Sequence, residues 1–275
     1  MDIIVPIGFV AVIVINLFGI ISGGGNVGHM VDIASLVVTG LGGSTSLLVA
    51  NDLSTVLGVP KAIKVILTKP NFDEAQMIIT LISFSEKARR EGLLVLEDDI
   101  QEVSDPFLKK GMQLVVDGTD PELVKNILNT EIDNIEARHD TVRKVFEDAA
   151  SLYPAWGMIG TLIGLVIMLR SLGGGGGTEA IGSGMAVALI TTYYGSVIAN
   201  GFALPIAGRL SARHSSETLI KGIMIEGILS IQAGDNPRIV KDKLVSFLPP
   251  AQRQKVNEQV GDRQKIFIRK EFKDL

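Results

Sequence analysis

The chain has 275 residues, 47% of them hydrophobic, with a net charge of −4 and a mean hydropathy of +0.36. That is too apolar for a soluble enzyme of this length, and the apolar residues are gathered in blocks. The lack of cysteine excludes a disulfide framework, thiol chemistry and a Cys-ligated metal, and the mild negative charge offers nothing to nucleic acid.

In chain order, residues 1–22 read as a first transmembrane helix, because about 20 apolar residues cross roughly 30 Å of hydrocarbon. The Met-Asp start has no basic region, and Ser22-Gly23-Gly24-Gly25 is a poor cleavage site, so a retained helix is expected rather than a signal peptide. Residues 23–32 form an external loop. Residues 33–50 form a second span, the weakest of the four because it is short and holds Gly40, Gly42 and Gly43. Asp32, at its outer end, is an interfacial acid with ion access as the alternative role.

Residues 51–150 read as a cytoplasmic helical domain. Within it, 56–68 is apolar except for Lys61 and Lys64, which suits a helix lying in the membrane interface. Pro70-Asn71-Phe72-Asp73 starts a helix whose apolar positions, Met77, Ile78, Leu81, Ile82 and Ala88, keep helical spacing to Gly92. Arg89, Arg90, Glu91, Glu97, Asp98 and Asp99 crowd around that glycine, a pattern that composition alone assigns to a solvated surface. Thr119-Asp120-Pro121-Glu122 combines a capping side chain, a Pro at the first helical position and an acid in the first turn. No Gly or Pro follows until Pro154, so the third span (151–171) is expected to continue a cytoplasmic helix of about 30 residues, about 45 Å long. A Gly-rich external loop (172–182) precedes the fourth span (183–208). A cytoplasmic helical extension and charged, mobile tail (209–275) end the chain. Helices three and four would form a stalk within the cytoplasmic part. The fold class is therefore an all-α integral membrane protein with four transmembrane helices, the last two extended into a helical cytoplasmic domain.

Of the 26 Lys and Arg residues, all but Arg170 lie in 61–144 or 209–273, which by the positive-inside tendency puts both polar regions and both termini in the cytoplasm. The stretches Ser151–Leu169 and Ser183–Gly208 contain no Asp, Glu, Lys or Arg. They do carry small, hydroxylated and helix-disturbing residues. Pro154, Gly157 and Thr161 share one face of the third helix, and Gly160 and Gly164 form a small-xxx-small pair beside it. Thr191, Thr192, Tyr193, Tyr194 and Pro205 mark the fourth. Close helix packing explains such residues, and a membrane threonine commonly bonds its own helix a turn back. The alternative is an ion path: proline frees a backbone carbonyl, and hydroxyl and carbonyl oxygens are hard ligands for a partly dehydrated alkali cation. Any charge-balancing carboxylate must then come from another chain. Gly173–Gly177 lacks the Lys-Ser or Lys-Thr of a phosphate loop. His29, His139 and His214 are dispersed, and no nucleophile–base pair is evident, so no metal site, cofactor or enzyme is expected.

Pro154-Ala-Trp-Gly-Met-Ile-Gly-Thr-Leu-Ile-Gly-Leu165 and Met185-Ala-Val-Ala-Leu-Ile-Thr-Thr-Tyr-Tyr-Gly195 resemble the third and fourth membrane helices of the MotA/PomA flagellar stator subunits, in the MotA/TolQ/ExbB superfamily. Val31-Asp-Ile-Ala-Ser35, Ala88-Arg-Arg-Glu-Gly-Leu-Leu-Val-Leu-Glu97, Val116-Asp-Gly118 and Ile231-Gln-Ala-Gly-Asp-Asn-Pro-Arg238 extend the resemblance over nearly the whole chain. It implies an inner-membrane motility protein forming a ring of five around two copies of a MotB/PomB-type partner. That partner supplies a membrane aspartate and anchors to peptidoglycan, and the ring's cytoplasmic face drives the rotor protein FliG. By matched position, Arg89, Arg90, Glu97 and Asp98 become rotor contacts. Pro154 and Pro205 become the residues coupling ion binding to motion, and Thr161, Thr191 and Thr192 the ion-path hydroxyls. Gly160-Thr161 and Thr191-Thr192 resemble the sodium-driven branch, so the translocated ion is read as sodium ahead of the proton. Two rivals stay open: an ExbB/TolQ-type energiser of envelope transport, whose members have three spans, and a structural membrane scaffold.

Overall fold

The computed structural model describes residues 3–68, 73–174, 178–250, 252–254 and 256. The expected Pro70-Asn71-Phe72 helix start, the centre of the glycine run at 175–177 and the end of the tail from 257 lie outside these residues. Among the described residues there is no strand.

Helix α1 (Ile4–Ser22) is followed by a 3-10 turn at Val27–Met30. The second apolar segment is composite: α2 (Ile33–Ser35), a π-helical stretch (Leu36–Leu41) and α3 (Gly42–Ala50). Short α4 (Leu53–Leu57) and α5 (Val59–Leu67) follow, the latter with Pro60 in its first turn. Then come α6 (Glu74–Glu91), α7 (Leu96–Glu102) and α8 (Pro106–Val116). Helix α9 runs unbroken from Pro121 to Gly173, 53 residues, with Pro154 inside it. Its start is built as the sequence predicts: the Asp120 carboxylate accepts the backbone N–H groups of Glu122 (2.9 Å) and Leu123 (3.3 Å), and Pro121 takes the first position. Helix α10 (Thr178–Ser196), a π-helical stretch (Val197–Ala203) and α11 (Leu204–Gln232) form the fourth long helix, and α12 is Pro237–Val245.

Among the described residues, four helices are long and apolar enough to cross a membrane: Ile4–Ser22, Val27–Ala50, and segments of Pro121–Gly173 and Ile181–Gln232. The described residues divide into two compact units, one holding those up to 68 with 137–213, the other 73–136 with 214 onward.

In the first unit, large apolar side chains point outward. Ile15 and Phe18 of α1 and Leu162 of α9 are more than 60% exposed, which marks surfaces to be covered by hydrocarbon or by another protein chain. Its interior is made by backbone approach more than by side-chain bulk. A Cβ on Gly157 would sit 2.9 Å from the Thr191 carbonyl oxygen, one on Gly164 would sit 2.5 Å from the Gly184 carbonyl oxygen, and one on Gly195 would sit 2.5 Å from the Tyr153 carbonyl oxygen. Glycines here let α9 and α10 touch main chain to main chain. The glycines of the second span have the same use: Gly42 lies under the Trp156 ring and Gly43 under the Tyr153 ring. The two aromatics tie down that contact, with Trp156 Nε1 donating to Ser46 Oγ (2.8 Å) and the hydroxyls of Tyr153 and Ser44 paired at 3.0 Å. Helix α5 buries Ala62 and Ile66 against Phe146, Ile206 and Ala207, leaving Lys61 and Lys64 exposed.

The second unit is packed as a water-soluble helical domain. Ile78 and Leu81 (α6), Leu96 and Ile100 (α7), Leu108 and Met112 (α8), Leu128 (α9), Ile223, Met224 and Ile228 (α11) and Leu244 (α12) are fully buried in one core. Each such side chain contributes about 1.5–3 kcal/mol by burial.

Candidate functional site

The charge-free third and fourth spans meet at an oxygen cluster. The Thr161 and Thr192 hydroxyl oxygens lie 2.5 Å apart. Both also reach the same two carbonyl oxygens: Thr161 Oγ1 is 3.1 Å from that of Gly157 and 3.0 Å from that of Ala188, and Thr192 Oγ1 is 3.4 and 3.2 Å from them. Two hydroxyls bring only two protons to four oxygens, so lone pairs remain for a further donor or a cation. Thr192 is exposed, which leaves the cluster open on one side. Gly157 is both a wall and a ligand here, because the absent side chain admits the fourth helix and its carbonyl joins the cluster.

Thr191 is placed differently from its neighbour. It is fully buried, its hydroxyl donates within its own helix to Val187 (2.8 Å) or Ala188 (3.0 Å), and its methyl and Cβ pack on Gly160. Its carbonyl accepts from Thr39 Oγ1 (3.2 Å) in the second span's π-helical stretch. Ser35 Oγ makes the parallel bond to the Val187 carbonyl (3.4 Å). Thr191 thus bonds span two through its carbonyl and packs its side chain on span three, whereas Thr161 and Thr192 bring their hydroxyls together between spans three and four.

Pro154 lies where α9 meets Gly195, its Cα 3.0 Å from the position of a Gly195 Cβ. The carbonyl it relieves belongs to Ala150, about 10 Å along the helix from that of Gly157. Pro205 lies two residues after the π-helical Val197–Ala203, where the missing N–H is absorbed by a locally altered hydrogen-bond register. Asp32 caps the second span, its carboxylate accepting the Ser35 N–H (2.6 Å), while its own N–H donates to Tyr194 Oη (3.3 Å). Tyr194 Oη donates in turn to the Met30 carbonyl.

In the second unit, Arg89 and Arg90 close α6 and Glu97 and Asp98 open α7, each sign at the helix end whose dipole favours it. All four are exposed. Gly92, at φ 89°, makes the reversal between them in a backbone region that other residues rarely adopt. Lys87 and Asp99 bridge the turn at 2.7 Å, and the carboxylate raises the Lys87 pKa above its ordinary value.

Some polar residues near the site escape a reading based on threonine and proline. Asn200 lies on the Thr192 face two turns further on and is exposed, its amide donating to the Ser196 carbonyl (3.0 Å). The i, i+4, i+8 series Thr192, Ser196, Asn200 is the signal that marks it. Tyr193 Oη donates to Asn16 Oδ1 (3.2 Å), giving α1 a polar tie to the fourth span. Asn51 donates to Asp148 (2.9 Å) just outside the charge-free stretch. No group of His, Cys, Asp and Glu among the described residues could hold a metal ion.

Fold and site together define a polytopic helical membrane protein with an oxygen-lined, acid-free seam between two of its spans. Residues 99–221 match the MotA/TolQ/ExbB proton channel family. The chain is 41% identical to Motility protein A of Borreliella burgdorferi over 84% of this chain and 87% of that one. It is 40% identical to the protein YtxD of Bacillus subtilis over 94% and 95% of the two. Its fold is similar to that in the solved flagellar MotAB stator complex from Bacillus subtilis, with a TM-score of 0.83, 28% identity, and coverage of 90% of this chain and 97% of that one. The chain belongs to the motility protein A family of flagellar stator subunits. The matched family is one of proton channels and the solved relative is a flagellar stator complex, neither of them an enzyme.

Proposed function

We propose that this chain is the ion-conducting subunit of a flagellar stator, and that Thr161 and Thr192 with the Gly157 and Ala188 carbonyls form the oxygen-lined part of its cation path. The observation that carries this reading is the four-oxygen cluster in a helix pair with no acid of its own. A cation there needs a carboxylate from outside the chain, which a MotB/PomB-type partner with a membrane aspartate would provide. The solved relative is a complex of that kind. Five copies around two partner chains, anchored to peptidoglycan, follow from the family resemblance.

Sodium is the ion we favour, because dehydrated sodium uses hydroxyl and carbonyl oxygens whereas a proton needs only the partner's carboxylate and water. A unit charge crossing 100 mV releases about 2.3 kcal/mol, enough to exchange a few polar contacts and drive one discrete step. Pro154 and Pro205 are the places where such a step would bend the helices. Arg89, Arg90, Glu97 and Asp98 would pass it to the rotor protein FliG. The distribution of the basic residues supports a cytoplasmic side of the inner membrane for these charges and for both termini. Asp32, as a helix cap, would shape ion access only through the start of the second span.

Four apolar helices favour this reading over a three-span ExbB/TolQ-type energiser. The test is torque in tethered cells expressing the chain with its partner, with sodium replaced by potassium at constant membrane potential. The sodium reading expects torque to fall to near zero. Unchanged torque would assign the path to protons and leave the stator role standing.

A further inference from the structure

Four consecutive residues of the fourth span, Thr191 to Tyr194, make one turn of α10 and reach three different neighbours. At about 100° per residue, their side chains point all round the helix. Thr191 packs on Gly160 and Thr192 meets Thr161, both in the third span. Tyr193 Oη donates to Asn16 Oδ1 of α1 (3.2 Å). Tyr194 Oη donates to the Met30 carbonyl and accepts the Asp32 N–H (3.3 Å) at the start of the second span. The two tyrosine rings also brace each other, with centroids 6.1 Å apart. Asn16 is the one residue of Ile4–Ile21 with a polar side chain, and its amide is itself held by the Val12 carbonyl a turn back (2.8 Å).

We propose that Tyr193 and Tyr194 are positioning residues for the cation path: their hydroxyls fix the rotation of the fourth span about its own axis and so set Thr192 against Thr161. The need for such a device lies in the packing. Gly157, Gly160, Gly164, Gly184 and Gly195 bring the third and fourth spans together main chain to main chain, and a contact made by glycines has few protruding side chains to define an angle. The threonine contact is sensitive to that angle. A side-chain tip about 5 Å from the helix axis moves about 2 Å when the helix turns by about 20°, which parts two hydroxyls 2.5 Å apart. Inside hydrocarbon no water replaces a lost partner, so a phenol bonded to a neighbouring span keeps its direction. Tyr193 is tied toward α1 and Tyr194 toward the second span, and turning the helix strains both bonds at once. The Tyr194 hydroxyl also holds the backbone of Asp32, which links the acid at the end of the second span to Thr192 two residues away.

This inference rests on the reading of Thr161 and Thr192 as the cation path, but the positions of the two threonines can be measured apart from conduction. The chain has no cysteine, so Thr161→Cys with Thr192→Cys puts a single thiol pair where the hydroxyls meet. Its rate of disulfide formation reports the setting of the fourth span without reference to any ion. In membranes holding the full chain and a cysteine-free partner, Tyr193→Phe and Tyr194→Phe should each slow that reaction about threefold, the scale of one hydrogen bond between membrane helices. Asn16→Leu should match Tyr193→Phe, the double variant should be no slower than either alone, and Asn16→Gln, which keeps an amide, should recover most of the rate. With both threonines restored, ion uptake into liposomes should fall in the same order at a constant amount of inserted protein. Parent disulfide rates in both phenylalanine variants, or losses at Asn16 and Tyr193 that multiply in the double variant, would overturn the positioning role. Normal uptake by Thr192→Val would instead remove the cation-path reading, and the disulfide rates would still decide what the tyrosines do.

Discussion

The hydroxyl of Thr161 meets that of Thr192 across the contact between the third and fourth spans, and the two share the carbonyls of Gly157 and Ala188. Thr191, one residue away, keeps its hydroxyl within its own helix and packs its methyl on Gly160, and only its carbonyl reaches Thr39 of the second span. Adjacent threonines therefore have different expected phenotypes. Thr192→Val should lower ion uptake by the chain with its partner about tenfold, the scale of losing one hydrogen bond to a charged group. Thr191→Val, isosteric and already bonded within its own helix, should stay within about twofold. Equal losses at both positions would reassign the seam to packing and favour the scaffold reading.

The glycines give a paired test of packing. At Gly195 a Cβ would overlap the Tyr153 carbonyl, whereas at Gly208 nothing lies within 4 Å. Gly195→Ala should destabilise the purified protein by about 1–3 kcal/mol through enforced helix separation. Gly208→Ala should leave it unchanged or raise it by up to about 1 kcal/mol. Thermal unfolding in detergent distinguishes the two.

Trp156 is the only tryptophan, so its fluorescence reports on the second–third span contact alone. Ser46→Ala removes the Nε1 partner and should shift the emission and cost about 1 kcal/mol in stability. An unchanged spectrum would show that the bond is not held in the membrane.

Charge reversal at Arg90 or Glu97 should abolish swimming without loss of stator protein from the membrane. Both side chains are exposed, so the stability change should stay within about 0.5 kcal/mol. Reversal of a complementary charge on the rotor should restore part of the torque. Full torque in the single reversals would exclude these residues as rotor contacts.

Asp235 is held below the usual carboxylate range by its hydrogen bond to Lys243, and the Lys243 ammonium is raised by the same bond, with Glu226 adding to it. A depressed carboxylate stabilises the fold above its unfolded pKa and loses that contribution as pH falls through the folded value. The difference in Tm between the parent protein and Asp235→Asn should thus be constant near neutrality and shrink as pH falls below about 4. On the alkaline side, Lys243 should lose its contribution as pH rises past about 10.4. High salt should narrow the neutral difference. A Tm difference that persists at pH 3 would exclude the ion pair as its cause.

Much of the architecture is legible in the residues because hydropathy and capping act locally. The blocks of apolar residues mark four spans, and Asp120-Pro121 marks the start of the longest helix. The candidate site is legible in part. Thr161, Thr192 and Gly157 show by helical spacing, and the lack of charge between Ser151 and Leu169 shows by inspection. Which way Thr191 faces does not, because two adjacent threonines look alike until Gly160 of the third span makes room for the methyl of one of them. The glycines of the second span read as weakness, since their use depends on Trp156 and Tyr153, more than 100 residues away. Asn16 is hidden for the same reason: a single amide in an apolar run has no periodicity, and its meaning comes from Tyr193.

The π-helical stretch at Val197–Ala203 sets the phase of the remainder of the fourth helix. Each residue of an α-helix turns the chain by about 100°, and a π-turn accommodates one residue more than an α-turn does. Every side chain from Leu204 on is therefore rotated relative to the Thr192 face, including Ile206 and Ala207, which meet Ala62 and Ile66. Removing one residue from this stretch would return it to α-helical register and leave Arg209 and the α5 contact in place, whereas adding one would swing them by about 100° relative to the threonines. The stretch acts as a vernier, and an insertion there should be far less tolerated than a deletion.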